Sequence, residues 1–219
     1  MAFTLSAVVG IFALAYLLGS IPPGYLAGRW LKGIDLREEG SGSTGATNVL
    51  RTLGKGPALV VFLLDIFKGT GSVILGAWLY SQLTTPIPAV DAPWIGCLSG
   101  LMALVGHSKP VWLGFRGGKS VATALGVVFG MNWLVALGTF GVFGATLALF
   151  RIVSIGSMAG AIGVNVLMWA MGQPIAYKFF AFMAAAYIFY RHQSNIQRLI
   201  AGTEPKIGQP VSQKTETAA

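Results

Sequence analysis

Recurring apolar runs, most of them about as long as a bilayer is thick, constrain this chain more than any other feature. Of its 219 residues, 54% are hydrophobic and only 10% are charged, and the mean hydropathy is +0.70. A helix needs about 20 apolar residues to cross the hydrocarbon core. We therefore predict an all-α integral membrane protein built as a bundle of about seven transmembrane helices. The predicted spans lie near residues 3–27, 56–80, 93–108, 119–131, 133–150, 155–172 and 175–190.

The run at 119–131 is too short to cross as a straight helix, and it contains Gly126 and Gly130. A tilted, partly re-entrant or internally buried segment is therefore an alternative, and six crossings is the rival count.

No basic segment precedes the first run, which passes into Pro22 and Pro23. This favours a retained helix over a cleaved signal peptide.

Basic residues fall on one side of this arrangement, except Lys68 within the second run and Lys178 near the other side. Lys and Arg are enriched in cytoplasmic loops. We therefore predict an outside N-terminus, a cytoplasmic C-terminus and a cytoplasmic site, and the net charge of +8 then requires no nucleic-acid partner. The basic residues on that side are Arg29, Lys32, Arg37, Arg51, Lys55, Lys109, Arg116, Lys119, Arg151, Arg191, Arg198, Lys206 and Lys214.

The chain divides into one predicted domain and a tail. Residues 1–201 form a single transmembrane domain with cytoplasmic substrate-binding loops. Residues 202–219 are polar and lack apolar periodicity, so we expect a tail that is disordered toward its end.

A glycine-spaced polar loop, residues 40–51, separates the first two runs. Glycine lets successive backbone N–H groups turn toward one point, and arginine offers a planar charged fork that suits phosphate. The loop therefore predicts an anion site, and a solvated loop with a snorkelling Arg51 is the alternative. The candidate residues are Gly40, Ser41, Gly42, Thr47, Asn48 and Arg51.

Charged residues also occur inside the second run, where Asp65 and Lys68 are three positions apart. Charges at membrane depth are paired or functional. Structural pairing and a role beside the site both remain open.

A third cluster combines His107 with the segment Gly117-Gly118-Lys119. The segment ends in Gly-Lys-Ser but lacks the spacing of a nucleotide-binding P-loop, because Leu113 stands where glycine is required. Two glycines before a lysine at a helix start still predict a phosphate cradle, with Lys119 as the point charge. We expect His107 to brace this loop.

The fourth cluster lies in the last two runs. Ser157 is either a substrate ligand or a hydroxyl that bonds its own helix. His192 and Asn195, three apart at a helix end, are placed to orient a hydroxyl or a phosphate oxygen, and a structural histidine is the alternative.

With these motifs the chain resembles the PlsY family of bacterial glycerol-3-phosphate acyltransferases, over almost its whole length. The resemblance implies a seven-helix enzyme of the bacterial plasma membrane that joins acyl phosphate to sn-glycerol 3-phosphate at a cytoplasmic cavity. Ser43 and Ser120 depart from the usual family pattern. The resemblance rests on Gly19-Ser20-Ile21-Pro22 with Gly24, Gly40-Ser41-Gly42, Gly45 to Arg51, Asp65 with Lys68-Gly69, Gly106-His107 with Pro110, Phe115 to Lys119, and Arg191-His192 with Asn195. By the family's pattern, Ser41, Thr47, Arg51, Lys119, Ser157, His192 and Asn195 would surround the two phosphates.

The implied reaction needs little covalent help from the protein. An acyl phosphate is already activated, so no acyl-enzyme is required, and the work is to align two anions and stabilise developing charge. The family is thought to pass the hydroxyl proton to a phosphate oxygen of the donor, and His192 is the competing base. We expect no cofactor and no metal ion, and we assign no oligomeric state.

Two alternatives to this enzyme are a transporter, which is another class of protein, and an acyltransferase that uses another acyl donor. A transporter of a phosphorylated metabolite or other anion would also use such a cavity, but it needs polar residues that reach both faces. The His-x-x-x-x-Asp motif of thioester-dependent acyltransferases is absent, because Trp112 follows His107 and Gln197 follows His192 at the fifth position.

Overall fold

The structure is a computed structural model, and it describes residues 2–83 and 91–209. Within those ranges it is helical, and no strand is assigned. A 3-10 turn, Val111–Leu113, joins α5 to the segment that leads into α6. The helices are α1 Ala2–Ser20, α2 Pro23–Lys32, α3 Ala46–Thr52, α4 Lys55–Leu83, α5 Asp91–Ser108, α6 Val121–Met131, α7 Trp133–Phe150, α8 Val153–Ala170, α9 Ile175–Arg191 and α10 Gln193–Ile200.

Four segments of the described chain are long and apolar enough to cross a membrane: Leu5–Lys32, Lys55–Leu83, Trp133–Phe150 and Val153–Ala170. Each predicted run contains an apolar helix, and the prediction of an all-helical membrane protein is confirmed. The number of crossings and the orientation of the termini remain predictions. The α6 helix has 11 residues, about 16 Å of rise against a hydrocarbon core of about 30 Å.

The first predicted run, 3–27, consists of two helices. It breaks at Ile21 and Pro22, and α2 begins at Pro23. A proline disfavours the helical conformation of the residue before it and is accepted in the first turn of a new helix. The two consecutive prolines therefore end α1 and start α2.

Helices α4 and α6 approach closely through glycine. A Cβ atom on Gly69 would lie 2.2 Å from the carbonyl oxygen of Thr123, and one on Gly126 would lie 2.0 Å from that of Ile66. Neither space admits a side chain, so these glycines let the two backbones touch. The contact holds the start of α6, and with it Lys119, beside the charged part of α4.

The main core lies among α5 to α9, where Val127, Val135, Met168, Phe180 and Ala181 are fully buried. The polar loops gather at one end of this bundle. Arg37 donates a hydrogen bond of 3.0 Å to the Leu113 carbonyl, which ties the loop before α3 to the loop before α6. Arg191 at the end of α9 donates one of 3.0 Å to the Gly118 carbonyl.

Candidate active site

A cavity with many polar lining residues opens at this end of the bundle, and we call it the polar cavity. Ten predicted site residues line it: Ser41, Thr47, Asn48, Arg51, Asp65, His107, Lys119, Ser157, His192 and Asn195. Five predicted residues are not among its lining residues: Gly40, Gly42, Lys68, Gly117 and Gly118. The fold thus brings together groups from five separate stretches of the sequence.

Asn48 holds the loop before α3 in shape. Its side-chain NH₂ lies within 3.1 Å of the carbonyl oxygens of Leu36, Glu39 and Ser43, and its Oδ1 accepts a hydrogen bond from the Ser41 amide at 3.0 Å. The residue is 1% exposed. Its polar groups are therefore committed to the loop, although we predicted a substrate contact.

Gly40 and Gly42 shape the same loop from behind the cavity. Both have positive φ angles, +56° and +67°. A Cβ on Gly40 would lie 2.4 Å from Asn48 Oδ1. The Gly42 amide donates to the Glu39 carbonyl at 2.9 Å. These glycines shape the loop, and their predicted contact with substrate stays a prediction.

Arg51, on the last turn of α3, is half-buried at the cavity wall. In the described part of the chain no hydrogen bond or ion pair ties its guanidinium, so its donors remain available for an anion. Burial lowers the pKa of Arg51, but a guanidinium group keeps its proton in proteins. The cavity therefore has one fixed positive charge.

The Gly117-Gly118 turn differs from the predicted phosphate cradle. The Gly117 amide donates to the Ser108 carbonyl at 3.1 Å, and the Gly118 amide donates to the His107 carbonyl at 3.2 Å. Those two N–H groups are therefore not free to bind phosphate. A Cβ on Gly118 would lie 2.1 Å from His107 Nε2, so the two glycines let the turn pack on His107.

Lys119 follows this turn and precedes α6, with its ammonium group at the cavity wall. Its Nζ donates a short hydrogen bond to Asn195 Oδ1. Burial, with help from the positive charges of Arg198, Arg191 and Arg51, lowers the pKa of Lys119 to about 8. The second positive charge of the cavity is thus partly titratable near neutral pH.

His192, between α9 and α10, is 3% exposed. Its Nδ1 lies 2.7 Å from the Ile188 carbonyl oxygen. A carbonyl can only accept, so Nδ1 carries the proton and Nε2 is left as an acceptor. Burial and the neighbouring charge of Lys119 lower the pKa of His192 to about 4. The ring is therefore neutral at physiological pH.

Glu204 is a member of the site that the sequence analysis missed. Its Oε1 accepts hydrogen bonds from Asn195 at 2.6 Å and Ser154 at 2.7 Å, and its Oε2 lies 2.7 Å from Arg198 Nε. Burial raises the pKa of Glu204, but hydrogen bonds from Asn195, Ser154 and Arg198 outweigh it, so the pKa lies below its usual value. The residue belongs to the predicted tail, whose residues 210–219 lie outside the described residues.

Ser157 makes a hydrogen bond within its own helix, which was the alternative to a role as substrate ligand. Its hydroxyl donates to the Val153 carbonyl at 2.9 Å, within α8. The hydroxyl oxygen still lines the polar cavity and keeps its acceptor capacity. It can therefore accept from a substrate hydroxyl but has no proton left to give.

A buried charged cluster supports the wall. Asp65 Oδ1 lies 2.9 Å from Lys68 Nζ and 3.2 Å from His107 Nδ1, although the contact with His107 lacks the alignment of a hydrogen bond. Lys68 also donates to the Ile21 carbonyl at 2.7 Å. The predicted pairing of Asp65 with Lys68 is therefore present, and it joins α4 to the residue on which the Gly117-Gly118 turn packs.

An apolar cavity adjoins the polar one. Its lining side chains are apolar apart from Ser157 and Thr139. It shares five lining residues with the polar cavity: Phe62, Val121, Ala122, Phe143 and Ser157. The two cavities therefore lie side by side, one with charged and polar groups in its lining and the other apolar.

A family model described as glycerol-3-phosphate acyltransferase matches residues 9–202. This chain belongs to that family. The relatives include a glycerol-3-phosphate acyltransferase of Synechococcus elongatus, 56% identical over 208 residues, which span 95% of this chain and 98% of the relative. One from Trichormus variabilis is 50% identical and covers all of both chains. The resemblance drawn from the motifs is confirmed.

The acyltransferase fold is also found among solved structures. A crystal structure of PlsY (YgiH), an integral membrane glycerol 3-phosphate acyltransferase, in its glycerol 3-phosphate form has a TM-score of 0.82 at 39% identity and covers 92% of this chain and 96% of its own. The lysophosphatidic acid form of the same enzyme has a TM-score of 0.80 at 38% identity. These relatives support an enzyme over the alternative of an anion transporter.

Ten of the 21 residues that line the polar cavity were predicted from sequence motifs. Glu204 had a weak signal, an acidic residue between Arg198 and Lys206 in a short polar segment. Phe62 and Phe143, which line both cavities, had none, because they are aromatic residues in apolar runs. Among the described residues no group of three or more His, Cys, Asp or Glu side chains is arranged to hold a metal ion.

Proposed function

We propose that this acyltransferase moves a fatty acyl group from acyl phosphate to the sn-1 hydroxyl of glycerol 3-phosphate, giving 1-acyl-glycerol 3-phosphate and inorganic phosphate. The observation that carries the proposal is that the polar cavity and the apolar cavity adjoin, with five lining residues in common. A donor with an anionic head and a long apolar tail fits that combination. Glycerol 3-phosphate, a small polar anion, fits the polar cavity alone.

Positive charge in the polar cavity is suited to two phosphates. Arg51 and Lys119 line its wall, while Glu204 is hydrogen-bonded to Asn195 and Ser154 and paired with Arg198. Two anionic substrates repel each other, and fixed cations in a partly desolvated cavity offset this repulsion. We assign Arg51 and Lys119 this role and expect Ser41 and Thr47 to add hydroxyl contacts.

The reaction balances without a covalent acyl-enzyme. The sn-1 oxygen of glycerol 3-phosphate attacks the carbonyl carbon of the donor, a new C–O bond forms, and the bond from that carbon to the phosphate oxygen breaks. The hydroxyl proton passes to an oxygen of the donor's phosphate group, and that group leaves as inorganic phosphate. Nearby cations stabilise the negative charge that develops on the carbonyl oxygen.

His192 is better suited to orienting the acceptor than to removing its proton. A general base works best when its pKa lies near the working pH, and the pKa of His192 is about 4. Its Nε2 can accept a hydrogen bond from the glycerol hydroxyl. This supports proton transfer to the donor phosphate.

We further propose that the protein lies in the bacterial plasma membrane with about seven crossings, an outside N-terminus and the site on the cytoplasmic face. The support is the distribution of Lys and Arg, which are concentrated at the end of the bundle that holds the polar cavity. Lys178, at the other end, packs its ammonium 4.2 Å from the centre of the Trp169 ring.

The test is an assay of purified protein in detergent with hexadecanoyl phosphate, with and without glycerol 3-phosphate. We expect acylated glycerol 3-phosphate and phosphate to form together only when both substrates are present. Parallel assays with a hexadecanoyl thioester should give no product. Turnover with the thioester alone would contradict the proposed donor while leaving the acceptor in place.

A further inference from the structure

The apolar cavity runs inward along the bundle from the polar cavity. On α6 its lining extends from Val121 to Val128, and on α8 it extends from Ser157 to Val164. Seven residues of helix rise about 10 Å, so the two helices give the same depth. The lining that is shared with the polar cavity marks the near end.

Helix α9 runs in the opposite direction to α6 and α8 and gives a similar depth for the cavity. Its lining extends from Ile188 near the polar cavity to Phe180, eight residues or about 12 Å of rise. Val128, Val164 and Phe180 therefore lie at one level. We call these three residues the far wall.

The far wall is closed by tight packing. Val128, Val164 and Phe180 are 3%, 5% and 0% exposed. Behind Phe180 lies Gly100 of α5, where an added Cβ would be 3.2 Å from Phe180 Cε2 and 2.4 Å from Val127 Cγ1. Interiors packed this closely do not yield space without strain. A chain that reaches the far wall finds no room beyond it.

The side walls, by contrast, leave space because several of their residues are small. Ala124, Gly160, Ala161, Ala184 and Ala185 all line the cavity. The lining is apolar apart from Ser157 and Thr139, so the space suits an apolar chain.

We propose that Val164 and Phe180 at the far wall set the acyl-chain length that this acyltransferase prefers. The inference rests on the proposed function, because it takes the donor's chain as the occupant of the apolar cavity. An apolar pocket discriminates about 10- to 200-fold for one methylene group. Changing the volume of a closed wall therefore changes the ranking of donors that differ by several carbons.

The experiment compares kcat/KM for decanoyl, dodecanoyl and hexadecanoyl phosphate in detergent, with glycerol 3-phosphate saturating. Val164→Phe adds volume at the far wall and should lower the hexadecanoyl-to-decanoyl ratio by about tenfold or more. Phe180→Leu removes volume and should raise the ratio. The KM for glycerol 3-phosphate should stay within about twofold in both variants, because neither residue lines the polar cavity.

The chain offers matched controls on the same two helices. Val166 on α8 and Phe182 on α9 face outward, 61% and 64% exposed. Val166→Phe and Phe182→Leu make the same chemical changes away from the cavity and should keep the wild-type ratio. A changed ratio in these controls would overturn the assignment to the far wall.

The outcomes separate the two proposals. Wild-type protein that turns over no acyl phosphate contradicts the proposed donor. Wild-type turnover with unchanged ratios in Val164→Phe and Phe180→Leu overturns the chain-length inference alone. If Val164→Phe does not fold, Val128→Leu, a one-carbon addition at the same level, replaces it, and an unchanged ratio there has the same meaning.

Discussion

The side-chain amide of Asn195 donates a hydrogen bond of 2.6 Å to the carboxylate of Glu204. The opposite end of the same amide, Oδ1, accepts from Lys119. Asn195 thus connects a buried carboxylate to the lysine of the polar cavity. We therefore expect Glu204 to position Lys119 through Asn195.

Replacing Glu204 by Gln should lower kcat/KM for glycerol 3-phosphate by about 10- to 100-fold, because each hydrogen bond to a charged group contributes about 1.5–3 kcal/mol. Glutamine keeps the shape but loses the charge that Arg198 and Asn195 bind. The check is steady-state kinetics together with the unfolding temperature in detergent. Glu38→Gln, at an exposed site, is the control. Unchanged kinetics would contradict the positioning role.

Arg51→Lys should lose most activity although the charge is retained. An ammonium cannot make the bidentate contact of a guanidinium, and each lost charge-assisted bond costs about 1.5–3 kcal/mol. The measurement is kcat/KM for both substrates in folded protein. Arg116→Lys, at an exposed position outside the cavity, should behave as wild type. Wild-type kinetics in Arg51→Lys would remove Arg51 from the site.

His192→Gln should keep measurable turnover, since glutamine can hydrogen-bond an oxygen but cannot act as a general base near neutral pH. We expect a loss of about 100-fold or less, mostly in the apparent affinity for glycerol 3-phosphate. Both substrates must be saturating when kcat is measured. A fall in kcat beyond about a thousandfold, with the fold intact, would identify His192 as the base.

Alkaline pH should weaken catalysis through Lys119. Its lowered pKa of about 8 means that the ammonium is charged below about pH 8 and loses its charge as the pH rises through that value. Because kcat/KM reports groups of the free enzyme, kcat/KM for glycerol 3-phosphate should fall above about pH 8. Lys119→Arg stays protonated and should abolish this fall. The same alkaline decline in that variant would exclude Lys119 as its source.

A cysteine at Ser43 should react with a membrane-impermeant thiol reagent only from the cytoplasmic side. Ser43 lines the polar cavity, and the Lys and Arg distribution predicts that this cavity faces the cytoplasm. Cys97, which is fully buried, should be replaced first so that one thiol remains. Labelling from outside in sealed, right-side-out cells would reverse the proposed orientation.

Local patterns predicted the helices and much of the site, because hydropathy and loop composition depend on residues that are close in the sequence. Arg51, Lys119, His192 and Asn195 all line one cavity, as their motifs predicted. The break at Pro22 in the first run was also visible in the sequence, although the run was read as one span. Proline chemistry is local and decides that break.

Tertiary contacts decided what local patterns did not. Whether the Gly118 amide is free depends on the position of the His107 carbonyl, which accepts from it at 3.2 Å. Glu204 lies at the cavity because it accepts hydrogen bonds from Asn195 and from Ser154, 50 positions earlier in the chain. A glycine pair or a lone carboxylate has no sequence signal for such partners.

The late position of Glu204 has a consequence for how the enzyme is made. A ribosome that adds about 5–20 residues per second needs roughly 8–30 s to pass from Arg51 to Glu204. Throughout that interval the first loop and its arginine have been synthesised, while the carboxylate that holds Asn195 has not. A nascent chain that is already in the bilayer therefore lacks this carboxylate until the segment after α10 has been made and packs on α8, where Ser154 donates to it.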